Sequence, residues 1–374
     1  MSVAESVRNQ TALQPSEAGT APAVMRAAVY VGDSRVKVQS IQTPAVASDE
    51  ILIRVESCGI CHTDLKKIEY NLLPPPRIYG HETAGVVSMV GERVTKYAPG
   101  DRVVVFHHIP CGTCFYCVRR LYAQCPVYKK VGVTAGYEPA GGGFSQYVRV
   151  MNWITDRGIE RIPAGVSFDQ ACWVEPVNTC LKAVEQIGPE PDSVAAILGQ
   201  GPIGLIFTML VKRTGATVLA TDTIEFRRQL SSEFGASAFD PREPEFERAV
   251  KAQTEGRGAD SVILATNAPG LVEQALRISR PGAKILLFAQ TSSVDRIELL
   301  GMDICVGERA LIGSYSADID LQEESARLVF GGALPLERLI SHRVPLPDIE
   351  GGIAIAQHPG ERSLKVVVHP QEPA

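Results

Sequence analysis

The stretch VAAILGQGPIGLIFTMLVKRTGATVLATD, residues 194–222, reads as strand, glycine turn, helix and second strand. Gly199, Gly201 and Gly204 follow the G-x-G-x-x-G spacing between the apolar run Val194 to Leu198 and a helical stretch reaching Thr214. In such a turn the first glycine makes the tight bend and the second lets backbone approach a pyrophosphate. The third allows close helix–strand packing. Pro202 and Ile203 open the helix, where a missing N–H costs nothing, and the helix N-terminus offers partial positive charge to phosphates. Asp222 closes the second strand at the distance where an acidic residue accepts hydrogen bonds from the adenosine ribose. A phosphate on that ribose would meet like charge, so NAD is expected over NADP. Arg227 and Arg228 lie near enough to serve a phosphate and pull the other way.

Outward from this motif, strands and helices keep alternating. Thr217 to Thr221 is a strand, Ile224 to Phe234 an amphipathic helix, and Ser261 to Ala265 and Ala283 to Phe288 are further strands around a helix over Gly270 to Ile278. That alternation predicts an α/β fold with a doubly wound parallel sheet of Rossmann type. Before it, from Met25 to about Glu160, short β-rich runs such as RAAVYV and EILIRVESCGI are punctuated by Gly and Pro, as in a β-barrel. The expected division is a disordered tail over 1–24, a β-rich catalytic domain over 25–176, a nucleotide-binding domain over 177–315, and a return to the first domain over 316–374. The strand LKVVVHP belongs to that return.

Composition excludes several function classes. Net charge is −5 and no Lys/Arg-rich helix stands out, which argues against a nucleic-acid surface. No uninterrupted apolar run reaches membrane-spanning length. The first two dozen residues lack a signal-peptide core, so a reducing, cytoplasmic setting is expected for the nine cysteines.

Four of those cysteines, Cys111, Cys114, Cys117 and Cys125, follow C-x₂-C-x₂-C-x₇-C. Such a loop can fill all four positions of a tetrahedral zinc with thiolate, leaving no room for substrate. This metal braces structure. A second constellation lies in CGICHTD and GHE, where Cys61 and His81 are both zinc-ligand types, with Glu82 and Glu175 as carboxylates able to complete the sphere. Cys58, Cys172, Cys180 and Cys305 sit among apolar or small residues and are expected in the core.

Taken together, GICHTD, GHETAGVV, the four-cysteine loop, GDRV, GGFSQY, the Glu175-Pro176 pair and GQGPIG resemble the zinc-dependent medium-chain dehydrogenases over nearly the whole chain after residue 24. The resemblance implies a GroES-like catalytic domain around a Rossmann domain, two zinc ions per subunit, and a catalytic zinc on Cys61, His81 and a third ligand. Glu175 in the third position is similar to the sorbitol- and threonine-dehydrogenase-like branch. In that branch Glu82 and Glu175 exchange roles as direct ligand, and the sequence leaves the choice open. Related carboxylate-type members are usually tetramers, so a homo-oligomer is expected.

The implied chemistry is oxidation of a secondary alcohol, a polyol or amino-alcohol, to a ketone. Hydride leaves an alkoxide on the zinc for the nicotinamide. Thr63 matches the hydroxyl that takes the substrate proton, and Asp64 a residue that steadies the zinc site. His62 matches a basic residue against the pyrophosphate, and Thr179 a threonine packed on the nicotinamide. Lys66 stands where many relatives end a proton relay with histidine; an exposed lysine is the simpler reading. His107 and His108, just before the cysteine loop, are read as structural. The alternatives are a primary-alcohol dehydrogenase and, from another class, a zinc-braced scaffold that keeps NAD for structure.

Overall fold

The computed structural model describes residues 20–106, 109–130, 141–289 and 296–373, with Lys129 and Lys130 as backbone alone. Most of the N-terminal tail (1–19) and the pair His107 and His108 lie outside the described residues. Within them, strands Val194–Leu198 and Thr217–Thr221 form where the apolar runs predict. They lie in a six-stranded sheet whose order is Ser237–Phe239, Thr217–Thr221, Val194–Leu198, Ala259–Leu264, Ser279–Leu287, Ala310–Gly313, and every pairing in it is parallel. This is the dinucleotide-binding order, in which the chain reverses direction beside the first strand and opens a crevice at the carboxyl ends. All five residues of Val194–Leu198 are buried, as a central parallel strand covered on both faces requires.

The β-rich half forms a seven-stranded mixed sheet. Its path runs Ile340–Pro345, Lys365–His369, Ile51–Gly59, Glu82–Val90, Arg102–Val105 and Ile159–Arg161, with Tyr147–Val150 also paired to Ile51–Gly59. A three-stranded sheet of Arg35–Gln42, Val24–Gly32 and Arg77–Ile78 lies beside it. The chain therefore builds most of one sheet, passes through the nucleotide-binding module, and returns two strands to the sheet it left. The helix Val174–Ile187 runs unbroken between the two halves. No helix among the described residues is long and apolar enough to cross a membrane.

A buried clasp fixes the returning strand. Asp169, in the short helix Phe168–Ala171, accepts from Ser57 Oγ at 2.6 Å, from His369 Nε2 at 2.7 Å and from Arg343 Nε at 2.6 Å. Ser57 comes from the central strand, and Arg343 and His369 from the two returning ones. Burial alone would raise the Asp169 pKa, but these three donors outweigh it and hold the carboxyl at about 2. The other ring nitrogen of His369 lies 2.9 Å from Glu372 Oε1. Burial pulls the His369 pKa down, and the two flanking carboxylates more than reverse that.

The signs of these two shifts differ. The Asp169 contribution is present above its ordinary pKa of 3.8 and fades as pH falls toward 2. The His369 contribution is complete below 6.5 and is lost as pH rises through the raised value. Asp169→Ala, which takes the acceptor from the buried Ser57 hydroxyl and the half-buried His369 ring, is expected to cost about 2 kcal/mol of stability at neutral pH. His369→Gln is expected to destabilise the protein more at about pH 5 than at about pH 9 in urea melts. An equal loss at both would show that the imidazolium adds nothing.

Candidate metal centre and dinucleotide cleft

Cys61 follows the central strand Ile51–Gly59 and caps the helix His62–Glu69, while His81 immediately precedes the strand Glu82–Val90. These strands are antiparallel, and Gly59 pairs with Glu82, so Cys61 and His81 emerge at the same end of neighbouring strands. One ligand atom from each of Cys61, His81 and Glu82 lies within 4.8 Å of the others. His81 Nδ1 is 3.0 Å from Asp64 Oδ1, and Asp64 is fully buried. That carboxylate fixes the ring and leaves Nε2 for a metal, as second partners of ligating histidines do. Burial alone would lower the His81 pKa; the charges of Asp64 and Cys61 raise it well above the ordinary value.

Two features were not foreseen. Lys365, at the start of the returning strand, is buried and makes an ion pair with Glu82. Its ammonium also lies 5.4 Å from the centre of the buried Trp173 ring. The pair reaches across Gly59, where a methyl group would land on Glu82 Oε2 and come within 2.7 Å of Lys365 Cε. In the sequence the only signal was a lone lysine opening an apolar strand.

Glu175, in the first turn of Val174–Ile187, is 5% exposed and lies outside the 4.8 Å group. Burial pushes its pKa up to about 7; Glu82 adds to the rise and His81 opposes it. Of the two carboxylates, the structure thus brings Glu82 to the Cys61–His81 pair and sets Glu175 beside it. Cys61, Glu82 and Glu175 place three acidic groups around one buried ammonium. A divalent cation with a taste for sulfur, nitrogen and oxygen offsets that excess, so the donor set fits zinc.

The second set is also assembled. Cys111, Cys114, Cys117 and Cys125 offer four sulfurs within 4.8 Å of one another, with no disulfide among them. Cys114 and Cys117 sulfurs are 3.4 Å apart, those of Cys111 and Cys117 3.8 Å. Backbone N–H groups of Thr113 and Cys114 lower the Cys111 pKa to about 6, whereas burial raises that of Cys117 to about 12. Four converging sulfurs with no carboxylate among them suit a closed, structural metal.

In the cleft of the parallel sheet, Gly199 has φ +97°, and a side chain there would strike Thr266. A methyl on Gly204 would land on the Gly199 carbonyl, so helix and turn touch. Gly201 differs: a methyl there would meet nothing nearer than Arg227 Nη1 at 3.9 Å, which leaves a cradle open over the backbone. Pro202 opens the helix Pro202–Lys212, with Ile203 packed partly against the core. Asp222 Oδ2 accepts the Gln200 N–H at 2.7 Å, and Oδ1 that of Ile224 at 2.8 Å. Arg227 Nη1 lies 3.9 Å from Asp222 Oδ2, its Nη2 donates to the Ser363 carbonyl, and its buried Nε has no partner.

The remaining expected residues fall around these centres. His62 opens its helix on an exposed side, and burial together with Lys66 one turn on holds its pKa below the ordinary value. Thr63 and Lys66 are half-buried, and Thr179 Oγ1 donates to the Pro176 carbonyl at 2.9 Å. Cys58, Cys172 and Cys180 are buried. Cys305 is not: it is exposed, because the helix Gly301–Cys305 buries none of its residues.

Comparison with known proteins agrees with this architecture. Residues 47–156 match the alcohol dehydrogenase GroES-like domain and 202–330 the zinc-binding dehydrogenase domain. The chain is 28% identical to sorbitol dehydrogenase of Bacillus subtilis over 94% of this chain and 99% of that one. It is 26% identical to L-threonine 3-dehydrogenase of Bacillus velezensis over 84% and 90% respectively. A zinc-binding dehydrogenase from Sinorhizobium meliloti, solved bound to NADP, superposes with a TM-score of 0.84 at 28% identity, covering 93% of this chain and all of that one. The chain belongs to the zinc-dependent medium-chain dehydrogenases and is an oxidoreductase.

The Glu82–Lys365 pair yields a test. Lys365→Met strands a buried carboxylate, a change that costs about 3–5 kcal/mol in comparable pairs. A bound cation compensates that charge, so the loss in melting temperature is expected to be larger for metal-stripped than for zinc-loaded protein. Equal losses in both would separate Glu82 from the metal centre.

Proposed function

We propose that this dehydrogenase uses NAD(H) and zinc to oxidise a secondary alcohol, of the polyol or amino-alcohol kind, to a ketone. The observation that carries this reading is the acid-rich donor set: Cys61, His81 and Glu82 within 4.8 Å, with Glu175 buried alongside. Sorbitol and threonine dehydrogenases among its relatives support the substrate class. Zinc, when bound there, supplies the Lewis acidity that makes an alcohol's hydroxyl proton easy to lose.

The chain's own residues do the rest. Asp64 holds His81 in one orientation, and Lys365 holds Glu82. Thr63 Oγ1 would accept the hydrogen bond of the substrate's hydroxyl and, as it takes that proton, pass its own on to water. The Gly201 cradle and the start of the helix Pro202–Lys212 receive the pyrophosphate, with His62 as a basic neighbour, and Thr179 packs on the nicotinamide. Asp222 accepts the ribose hydroxyls, which favours NAD. Arg227 beside it, and the NADP bound by the Sinorhizobium relative, favour a second reading in which NADP is also used. Self-association has a surface available, since Leu300, Met302 and Val306 are exposed near the edge strand Ala310–Gly313.

A panel of polyols, amino-alcohols and primary alcohols, run with NAD and NADP in parallel and followed by the absorbance of the reduced cofactor, tests this reading. Turnover is expected with secondary alcohols and NAD; no turnover of any member with either cofactor would refute it. Cys61→Ser is expected to reduce zinc from two ions to one per chain and to lower kcat/KM by about a thousandfold or more, with circular dichroism unchanged. Full activity in that variant would sink the assignment of Cys61.

A further inference from the structure

Trp173 stands in the chain between Asp169 of the clasp and Glu175, and nothing in the mechanism above uses it. Its backbone is pinned on both sides: the N–H donates to the Gln170 carbonyl at 3.2 Å, and the carbonyl accepts the Val177 N–H at 2.9 Å. The side chain is fully buried, and its indole N–H has no hydrogen-bond partner among the described residues. A buried indole usually finds a partner for that N–H, so an orphaned one is a cost that a leucine at the same place would avoid. Some gain from the ring itself has to offset it.

The gain lies on the face of the ring. The Lys365 ammonium sits 5.4 Å from the ring centre, within the range at which a cation is attracted to an indole. Lys365 is buried, so the attraction acts out of water, where it is strongest. An ammonium carries three N–H donors. Among the described residues, Glu82 is the hydrogen-bond acceptor that Lys365 Nζ meets, with Oε1 taking the bond. The two oxygens of one carboxylate leave at least one of the three N–H groups without an oxygen, and the indole face gives it an electron-rich surface. The same Glu82 offers a ligand atom within 4.8 Å of those of Cys61 and His81. The ring, the ammonium, the carboxylate and the candidate metal centre thus form one continuous set of contacts.

We propose that Trp173 is a positioning residue of the metal centre, whose ring shares the Lys365 ammonium with Glu82 and so leaves that carboxylate able to offer an oxygen to a divalent cation. The proposal rests on the reading given above, in which Cys61, His81 and Glu82 hold zinc. A carboxylate that was the ammonium's sole partner could not turn toward a cation without stranding a positive charge out of water, and breaking a buried pair in that way is costly. The indole lowers that cost, because it is neutral and keeps its hold on the ammonium when Glu82 turns. A leucine would fill the space and leave the ammonium wholly to Glu82.

Release of zinc from the loaded, full-length protein to the chelator dipicolinate tests this. The phase missing from Cys61→Ser belongs to the ion on Cys61, and the phase that remains belongs to the ion on the four cysteines. Trp173→Leu is expected to speed the first phase at least about fivefold and to leave the second unchanged, whereas Trp173→Phe, which keeps a ring face, stays within about twofold of the parent. In Lys365→Met, adding Trp173→Leu is expected to change the first phase by less than about twofold, because no ammonium remains to be shared. Equal rates in the two Trp173 variants, or the same acceleration with Lys365→Met as without it, overturn the role of the ring while the zinc reading stands. A parent protein with no phase that depends on Cys61 removes the zinc reading and this inference together. Should Trp173→Leu or Lys365→Met fail to fold, 5-fluorotryptophan decides, since it keeps the packing and weakens the ring face. The chain has two tryptophans, so the analogue is introduced in Trp153→Phe, where it replaces Trp173 alone. A faster first phase is then expected, and an unchanged one overturns the proposal.

Discussion

The Glu82–Lys365 ion pair is the constraint around which the catalytic half is arranged. It links two strands that are not neighbours, because Ile51–Gly59 lies between them. The two side chains meet only because the residue beneath them is Gly59. A charge pair hidden from water is stabilising only with close geometry and few stranded atoms. That demand fixes the register of the three strands at the end where Cys61 and His81 emerge. The setting of Glu82 beside Cys61 and His81 thus depends on a lysine from the far side of the nucleotide-binding module.

The clasp around Asp169 secures the other end of the same returning strand. Lys365 is held at its beginning and His369 at its end, so the strand is fixed by charge at both ends and by apolar burial between. Asp169 also sits shortly before Trp173 and Glu175 in the chain. The clasp consequently orients the segment that feeds the Glu175 helix, so Glu82 and Glu175, the two buried acids at the candidate metal centre, are placed through one connected framework.

Much of this was legible in the sequence, for identifiable reasons. The glycine turn at 199–204 and Asp222 are local signals: strand, turn and helix are adjacent in the chain, and the spacing reports their geometry directly. The four cysteines are equally local, since one loop supplies every sulfur. Cys61 and His81 were legible as ligand types, but choosing between Glu82 and Glu175 was not possible, because that choice depends on strand register. Lys365 and Gly59 were illegible because each acts through a partner remote in sequence. Cys305 was misread because small neighbours suggest burial, whereas a short helix on the rim of the sheet leaves it exposed.

The order in which the chain is made gives the Glu82–Lys365 contact a kinetic meaning. Its partners are 283 residues apart, and the parallel-sheet module lies between them. Domains tend to fold as they emerge during synthesis, and contacts of large sequence separation form late. The nucleotide-binding half can therefore reach its native form while the first sheet still lacks the strand carrying Lys365. Until that strand docks, Glu82 has no ammonium beside it, although the pairing of Ile51–Gly59 with Glu82–Val90 already brings Cys61 and His81 to one end of the sheet. The acid-rich cluster of Cys61, His81 and Glu82 thereby gains its balancing ammonium only at the last stage of folding.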